Sequence, residues 1–492
     1  MSLKKISKFI VGVFCGAILT ISIYSFAVDD NERTIINSPN VEEAKIPVDE
    51  INNFAKVYSI TKNYYVESVT DTKLIKGAIN GMLTNLDPHS TYLDKDEYKQ
   101  LTEMTSGAFA GLGIEVSRDK DSAGVKVVAP IDGTPAYYAG IKSGDLIIKI
   151  DNQPVSSMSL DQAVKKMRGP AGTKVILIVA RKNELKPLTF KITRALIEIK
   201  SVKYTMLTPD YAYVRITNFQ SDTTNSLLKA LDNIYNRNNH LKGIVLDLRD
   251  DPGGLLQSAV GVASTFLPQH SLIVSIGGRA SNKQDFLAEP KYYNLIESST
   301  DILNNVPMIY KQMPMVVLIN QGTASASEIV AGSLQDYGRA QIVGTKSFGK
   351  GSVQTVIPLT SDTAIKLTTA LYYTPKGRSI QAEGIRPDII VQSEYSDLYD
   401  SWDLSEATLD NHLNNPLNNE ESKNKNIPII TPPKQISTQF ELKAKMNERL
   451  RKSPKVVSKD MANVDLKTDF QLQWALNILQ GKPIPQQKIK LN

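Results

Sequence analysis

The chain has 492 residues, 41% of them hydrophobic and 22% charged, which is the composition of a globular protein large enough for two or three domains. The net charge is only +6 at pH 7 and no basic block occurs, so the charge pattern gives no support to nucleic-acid binding. The single cysteine, Cys15, excludes an internal disulfide. No residues have the spacing of a metal-ligand cluster, and we expect no metal site.

The N-terminal segment 1–30 carries a targeting signal. Three lysines among the first eight residues precede an uncharged run from Phe9 to Val28, and acidic residues follow it. About 20 apolar residues can span a bilayer, and flanking lysines stay on the cytoplasmic side. We therefore expect membrane attachment through this segment and export of the remainder to the periplasmic or extracytoplasmic side. Small residues around Phe26 also fit a cleavage site, so a signal anchor and a cleaved signal peptide both stay open.

The next region, 31–102, combines a polar tether with helices. Apolar residues recur at helical spacing in two sets, which are Ile51, Phe54, Val57 and Ile60, and Leu74, Ala78, Met82 and Leu86. The pattern predicts two amphipathic helices. We interpret His89, in the segment LDPHSTYL, as a structural turn residue rather than a catalyst.

The glycine-punctuated region 103–190 has the pattern of a β-rich unit with one short helix. The segments GLGIEV, VKVVAP and VILIVA have strand composition, and helical spacing marks Leu160, Ala163, Val164 and Met167. In GLGI, a glycine-rich turn exposes backbone N–H groups that can hold a terminal carboxylate, and the next strand edge can pair with a peptide. With the downstream GIKSGDLIIKID pattern, the unit resembles a PDZ domain. The resemblance assigns binding of a substrate C-terminus to Gly111, Leu112, Gly113 and Ile114.

Arg168 follows the short helix of this unit. In some relatives that carry a PDZ domain of this kind, an arginine here relays peptide binding to the active site. The alternative is an exposed charge at a helix end, and both interpretations stay open.

The region 191–392 contains the segment that carries the chemistry. An apolar run after Pro314 predicts a buried strand, Gly322 breaks it, and Ser325 opens a helical pattern. A serine at a helix N-terminus lies where backbone N–H groups and the helix dipole favour negative charge. A serine hydroxyl needs a base to become a nucleophile, and this base is most often a histidine. None of the four histidines of the chain lies in a glycine-rich turn near this segment. A lysine can take that role when burial lowers the pKa of the lysine, and Lys350 lies between two glycines.

Spacing alone leaves an alternative, in which Ser325 only caps a helix and Lys350 is a solvated loop lysine. The sequence GTASASEIVAGSLQDYGRA followed by GTKSFGKGSVQ resembles the C-terminal processing peptidases, also called tail-specific proteases. The resemblance implies a Ser/Lys serine endopeptidase that needs no cofactor, with Ser325 as nucleophile, Lys350 as general base and Gln354 orienting that base. A catalytically weak PDZ-containing adaptor at the membrane is the rival function.

The oxyanion hole is the place where the chain departs from the family pattern. DLRDDPGG resembles the family's DLRNNPGG, whose glycine amides help to form the hole, and the resemblance assigns Gly253 and Ala326, with Gly254 as a substitute. Carboxylates facing a developing oxyanion would be unfavourable. We therefore expect Asp250 or Asp251 to point away or to pair with Arg249.

The expected fold class is multidomain α/β, with an N-terminal helical region, a PDZ domain, an α/β protease core and a helical C-terminal region. Residues 281–312 are longer than the family pattern and predict a surface insertion. Residues 393–434 are polar and predict a linker, and 435–492 predict helices at 437–452 and 466–480. The expected partners are protein or peptide substrates with exposed C-termini. The family's N-terminal helices also suggest a homodimer, and an adaptor protein stays open.

Overall fold

The computed structural model describes residues 47–118, 124–182, 184–279, 283–294, 300–393, 405–417, 427–432, 462 and 464–484. The predicted targeting segment, the tether and the predicted helix at 437–452 lie outside these residues. None of the helices in the described ranges has both the length and the apolar character needed to cross a bilayer.

Helices and strands alternate along most of the chain. The helices are α1 (Val48–Tyr64), α2 (Asp71–Thr84), α3 (Lys95–Ser106), α4 (Pro135–Tyr138), α5 (Leu160–Met167), α6 (Thr223–Arg237), α7 (Leu256–Phe266), α8 (Pro290–Tyr293), α9 (Ile309–Gln312), α10 (Ala326–Asp336) and α11 (Phe470–Leu479). The strands are β1 (Thr91–Leu93), β2 (Ala108–Gly111), β3 (Ile114–Arg118), β4 (Val125–Pro130), β5 (Leu146–Ile150), β6 (Gln153–Pro154), β7 (Lys174–Ala180), β8 (Leu188–Thr193), β9 (Ala195–Glu198), β10 (Val202–Thr208), β11 (Tyr211–Ile216), β12 (Gly243–Asp247), β13 (Leu272–Gly277), β14 (Gln284–Leu287), β15 (Met315–Ile319), β16 (Gln341–Gly344), β17 (Ser352–Pro358), β18 (Ala364–Tyr373), β19 (Ile389–Val391) and β20 (Ile429–Ile430).

The chain divides into two compact units, one ending at Leu74 and one beginning at Ile75. In the first unit, α1 is the helix that the spacing of its apolar residues predicts. None of its residues is buried, and its apolar positions Ile51, Phe54 and Val57 are exposed. Propensity and the acidic residues in its first turn therefore account for the helix better than packing does.

Within the second unit, β3 to β8 form a six-stranded antiparallel sheet in the order β3-β4-β5-β7-β8, with β6 on β5. The sheet and α5 enclose a separate apolar core. Ser159 caps α5 by accepting from the amide of Gln162, whose side chain accepts from Ser159 in return. Strands β2 and β9 pair with each other and bring the two ends of this region together. Strand β3 lies at the edge of its sheet, which leaves a backbone edge on which another strand can add.

The main sheet of the second unit has seven strands in the order β10-β11-β12-β15-β16-β19-β20. Only β10 and β11 pair in antiparallel fashion, and the other neighbours are parallel. Every residue of β12 and β15 is buried, as expected for central parallel strands covered on both faces. Helices α6, α7 and α10 pack on one face and α11 on the other, which confirms the predicted α/β class.

An antiparallel sheet of β1, β18, β13 and β14, with β17 also on β18, adjoins the core. Strand β17 begins directly after the loop that holds Lys350, and β1 follows the turn that holds His89. The sheet therefore brings the LDPHS segment close to the lysine loop, because both β1 and β17 pair with β18.

The described part of 281–312, for which the sequence predicts a surface insertion, is exposed or half-buried over most of its length, but buried side chains anchor it in the main core. Tyr293, Leu303 and Tyr310 are buried in the main core, and the hydroxyl of Tyr310 donates to the carbonyl oxygen of Leu231 at 2.7 Å. The segment contains tyrosines and a leucine that remove apolar surface from water, so it contributes to the core itself.

Candidate active site

Ser325 ends the turn between β15 and α10, whose first residue is Ala326. Its backbone has φ 56° and ψ −116°, a conformation that side-chain-bearing residues rarely adopt. Strain of this kind persists only where neighbouring structure enforces it, and it concentrates at functional sites. The sequence predicted the serine at the helix N-terminus, but it gave no sign of the strained backbone.

A buried carboxylate, Glu328, holds this turn. It accepts hydrogen bonds from the amide of Ser325 at 2.8 Å, the hydroxyl of Ser347 at 2.5 Å, and the amides of Gly349 at 2.7 Å and Lys350 at 2.9 Å. Burial raises the pKa of Glu328 to about 7, and these four donors oppose the rise. One side chain therefore binds the backbone of both the candidate nucleophile and the candidate base.

Tyr372 of β18 makes a second bridge between the same two residues. Its buried hydroxyl lies within hydrogen-bond distance of the carbonyl oxygens of Ser325, at 3.2 Å, and of Lys350. Sequence reasoning missed both bridging residues. The capping-box spacing of Ser325 and Glu328 could have revealed the carboxylate, whereas no local signal marks Tyr372.

Lys350 has the environment of a general base. Burial and, to a lesser extent, the positive charge of Lys366 together lower the pKa of its amine to about 8. In the part of the chain that the structure describes, its Nζ atom has no ion pair or hydrogen bond. In particular, Nζ of Lys350 makes no hydrogen bond to Oγ of Ser325. The two groups are therefore brought into one site without a closed dyad.

Among the described residues, Gln354 makes no hydrogen bond to the Lys350 amine. Its Nε2 donates to the hydroxyl of Ser352 at 2.9 Å and to that of Thr368 at 3.4 Å. Its role in orienting the base stays a prediction.

Gly253 lies directly against the nucleophile turn. A Cβ atom on this residue would lie 2.6 Å from the carbonyl oxygen of Ala324 and 2.8 Å from the amide nitrogen of Ala326, so only glycine fits. The structure thus places the two predicted oxyanion donors side by side. The amide of Gly253, however, donates to Oδ1 of Asp251 at 2.9 Å. Gly254 forms a β-bridge with Phe219, and the carbonyl oxygen of Phe219 leaves no room for a side chain at position 254.

The two aspartates of DLRDDPGG have different environments. The side chain of Asp250 is exposed and accepts from Asn320 at 2.8 Å, and its cationic neighbour is Arg215 rather than Arg249. Asp251 is fully buried, and burial raises the pKa of its carboxyl to about 7. Its Oδ2 atom has no hydrogen-bond partner among the described residues.

Arg249 connects this loop to the C-terminal helix instead. Its guanidinium donates to Asp247 at 2.6 Å and to Asp469, just before α11, at 2.8 Å. Burial alone would raise the pKa of Asp247, but Arg249 outweighs it and the pKa falls to about 2. The C-terminal helix therefore contributes to holding the loop that contains Gly253.

The GLGI turn is rigidly held. The carbonyl oxygen of Leu112 accepts from Ala136 at 3.0 Å, and that of Gly113 accepts from Ile131 at 2.8 Å. Gly113 has φ 74°, and a Cβ atom on it would lie 2.3 Å from Thr134. Edge strand β3 begins at the next residue, Ile114, so the turn and the free strand edge are adjacent, as the carboxylate-binding prediction requires.

Arg168 is paired rather than free. Its guanidinium donates to Glu103 of α3 at 2.8 Å and lies 4.8 Å from the ring centroid of Phe109. Its Cγ lies 3.9 Å from the position that a Cβ atom on Gly111 would occupy. The arginine therefore connects the end of α5 to α3 beside the GLGI turn.

From α3, hydrogen bonds continue to the loop 248–255, which holds the predicted oxyanion donor Gly253 and is called the oxyanion loop. The amide of Ser221 donates to the carbonyl oxygen of Thr105 at 3.0 Å, and two residues earlier the amide of Phe219 donates to that of Gly253 at 2.9 Å. A contiguous set of contacts thus runs from Arg168 to Gly253.

Comparison with known proteins gives matches to three family models. These are peptidase family S41 over residues 210–391, a PDZ domain over 126–181, and the N-terminal domain of activating protease CtpB over 13–97. A carboxy-terminal-processing protease of Bartonella bacilliformis is 41% identical over 415 residues, which cover 84% of this chain and 88% of that one. A probable CtpA-like serine protease of Staphylococcus aureus strain COL is 35% identical over 389 residues, covering 79% and 72%. Among solved structures, the photosystem II D1 C-terminal processing protease has 29% identity and a TM-score of 0.39, covering 69% of this chain and 86% of that one.

Proposed function

The chain belongs to peptidase family S41, together with carboxy-terminal-processing proteases, and from this premise we propose that it is a Ser/Lys serine endopeptidase. The observation that carries the proposal is the double bridge between Ser325 and Lys350. Glu328 accepts hydrogen bonds from the amides of both residues, and the hydroxyl of Tyr372 lies within hydrogen-bond distance of both carbonyl oxygens. Such an arrangement fixes the distance between two backbones whose side chains must meet for catalysis.

In the proposed reaction, the neutral amine of Lys350 removes the proton from the Ser325 hydroxyl as its oxygen attacks the scissile carbonyl. The amides of Gly253 and Ala326 stabilise the tetrahedral oxyanion. The Lys350 ammonium then protonates the leaving amine, and water releases the acyl-enzyme through the same base.

The observed conformation is the one expected of an inactive, resting enzyme. The Gly253 amide is engaged by Asp251, and no hydrogen bond joins Ser325 to Lys350 among the described residues. Catalysis therefore requires release of the amide and closure of the dyad.

The substrates proposed are exported or membrane-associated proteins whose C-termini bind the PDZ domain. Gly111, Leu112, Gly113 and Ile114 would hold the terminal carboxylate, and edge strand β3 would pair with the residues before it. The exposed apolar face of α1 supports a homodimer. Export and membrane attachment through segment 1–30 remain part of this proposal, as does the option of an adaptor protein.

The decisive experiment compares two versions of one unstructured substrate, one with a free apolar C-terminus and one amidated. We expect the purified protein to degrade the free form faster, because amidation removes the charge that the GLGI turn recognises. The Ser325→Ala protein should degrade neither. If the wild-type protein binds the free form but leaves it intact, the chain is a PDZ-containing adaptor and the endopeptidase proposal is wrong.

We also propose that a bound C-terminus activates the enzyme through Arg168. The contacts from Arg168 through Glu103 and α3 end at Gly253, so movement at the GLGI turn can alter the oxyanion loop. The activating peptide must bind the active state more tightly than the resting one.

A separate peptide ending in a free apolar carboxylate should therefore speed cleavage of a short internal reporter, and its amidated form should not. Arg168→Ala should abolish this activation while the peptide still binds, as fluorescence anisotropy would show. The matched control is Lys165→Ala, in the last turn of α5 just before Arg168, because the ion pair of Lys165 with Asp96 is exposed. Simple competition by the peptide, or activation that survives in Arg168→Ala, would contradict the relay.

A further inference from the structure

A short segment that follows β19 along the chain reaches back to the loop that carries Lys350. The backbone amide of Glu406 donates to the carbonyl oxygen of Phe348 at 3.0 Å. On the other side of the lysine, the amide of Gly351 donates to Oε1 of Gln381 at 2.9 Å, and Nε2 of Gln381 donates to Glu406 at 3.0 Å. Glu406 thus holds the backbone on both sides of the lysine, directly and through one glutamine.

The segment 405–417 is itself attached to the core. Nε2 of Gln381 also donates to the carbonyl oxygen of Leu413 at 3.0 Å, and Nδ2 of Asn415 donates to the carbonyl oxygens of Ser379 at 3.2 Å and Gln381 at 2.9 Å. Because these bonds involve the residues around Gln381, the segment and the lysine loop are held by the same part of the core.

The carboxylate of Glu406 is fully buried and has a partner from the N-terminal part of the large unit. Nε2 of His89 lies 2.8 Å from Oε2 and 3.0 Å from Oε1 of Glu406. Burial by itself would raise the pKa of Glu406, but the hydrogen bonds from His89 and Gln381 outweigh it, so the pKa lies below its ordinary value. The group therefore stays ionised beside the lysine loop. This contact gives the turn histidine predicted from the sequence a specific partner.

The negative charge of Glu406 favours the protonated form of the Lys350 amine, and the positive charge of Lys366 opposes it. The charged groups around that amine are Lys366 of β18, which disfavours the ammonium, and Glu406, Glu328 and Asp87, which favour it, with His89 beside Glu406. Among the described residues, Lys350 therefore has carboxylates from α10, from the turn before β1 and from the 405–417 segment, and a cation from β18.

We propose that Glu406 is a positioning residue for the general base, which seats the backbone on both sides of Lys350 and supplies a fixed negative charge to its amine. The inference rests on the proposed Ser/Lys function and extends it to a segment beyond the protease core. It also gives His89 a role, because its hydrogen bond orients the carboxylate.

Two variants separate the two parts of this role. Glu406→Gln keeps the shape, the backbone bond to Phe348 and an acceptor for Gln381, but it removes the charge. Glu406→Ala removes the side chain and with it the support for Gln381. Asp410→Asn is the matched control, because it removes a carboxylate from an exposed position of the same segment.

The first readout is the rate at which Lys350 is acetylated by acetic anhydride as a function of pH, followed by mass spectrometry. Only the neutral amine reacts, so the midpoint of this profile reports the pKa of Lys350 whether or not the protein is a peptidase. We expect Glu406→Gln to move the midpoint to lower pH, because an ammonium that loses a nearby carboxylate gives up its proton more readily. Asp410→Asn should match the wild type.

The second readout is turnover of the unstructured substrate. Glu406→Ala should lower kcat by about 10- to 100-fold with little change in KM, because misplacement of a catalytic group affects the chemical step. An unmoved or higher midpoint in Glu406→Gln would overturn the proposal even if activity fell, since a purely structural role gives that result. Absence of Ser325-dependent turnover in the wild type would contradict the proposed function instead, and the acetylation profile would still decide whether Glu406 acts on Lys350.

Discussion

Replacing Lys350 with alanine is expected to lower kcat by about 10²–10⁴-fold, and by more if Ser325 and Lys350 act as a unit. The substitution removes the amine but leaves the backbone of residue 350 bound to Glu328 and Tyr372, so the fold should persist. Turnover of the unstructured substrate measures the effect, and a circular dichroism melt checks folding. Lys346→Ala, an exposed lysine of the same loop, is the control and should behave as wild type. Near-normal turnover by folded Lys350→Ala would rule out the Ser/Lys assignment.

The pH dependence tests the same residue without removing it. Lys350 is active as a base only when neutral, and its pKa of about 8 lies well below the ordinary value for lysine. The neutral fraction, about a tenth at pH 7, grows as the pH rises through 8. We therefore expect kcat/KM to increase from pH 6 to pH 9 with a midpoint near this pKa. A flat profile over that range would show that no group of this kind limits the reaction.

Ser325 is expected to be the residue that a covalent serine inhibitor labels, and Ser325→Ala should lower turnover by about 10⁴-fold or more. The strained backbone at Ser325 and its position before α10 support its proposed role as the nucleophile. Ser327 is fully buried, and its hydroxyl donates to the carbonyl oxygen of Asp251 at 3.0 Å. Its position is that of a structural residue beneath the oxyanion loop.

Ser327→Ala is accordingly the matched control. It should retain labelling at Ser325 and lose about 0.5–1.5 kcal/mol of stability, because one buried hydrogen bond is removed. Peptide mapping by mass spectrometry after inhibition decides between the two serines. Label found on Ser327 with Ser325 unmodified would make the assignment of the nucleophile wrong.

The sequence alone predicted the features that depend on neighbouring residues in the chain. The apolar run of β15, the break at Gly322 and the helical spacing after Ser325 specify strand, turn and helix, because backbone periodicity and turn chemistry are local properties. The alternating strands and glycine turns of GLGI and its surroundings likewise indicated the PDZ domain before any contact was known. Resemblance to the family supplied the roles of Ser325 and Lys350.

Only the tertiary structure showed how these residues are held. The hydroxyl of Tyr372, on β18, reaches the carbonyl oxygen of Ser325, and Glu406 meets His89 across 317 positions of sequence. Asp251 accepts a hydrogen bond from the Gly253 amide, and a few buried side chains anchor the described part of 281–312 in the core. Buried polar groups must find partners wherever the folded chain brings a donor or acceptor within reach. Those partners depend on the path of the whole chain, so no local pattern in the sequence specifies them.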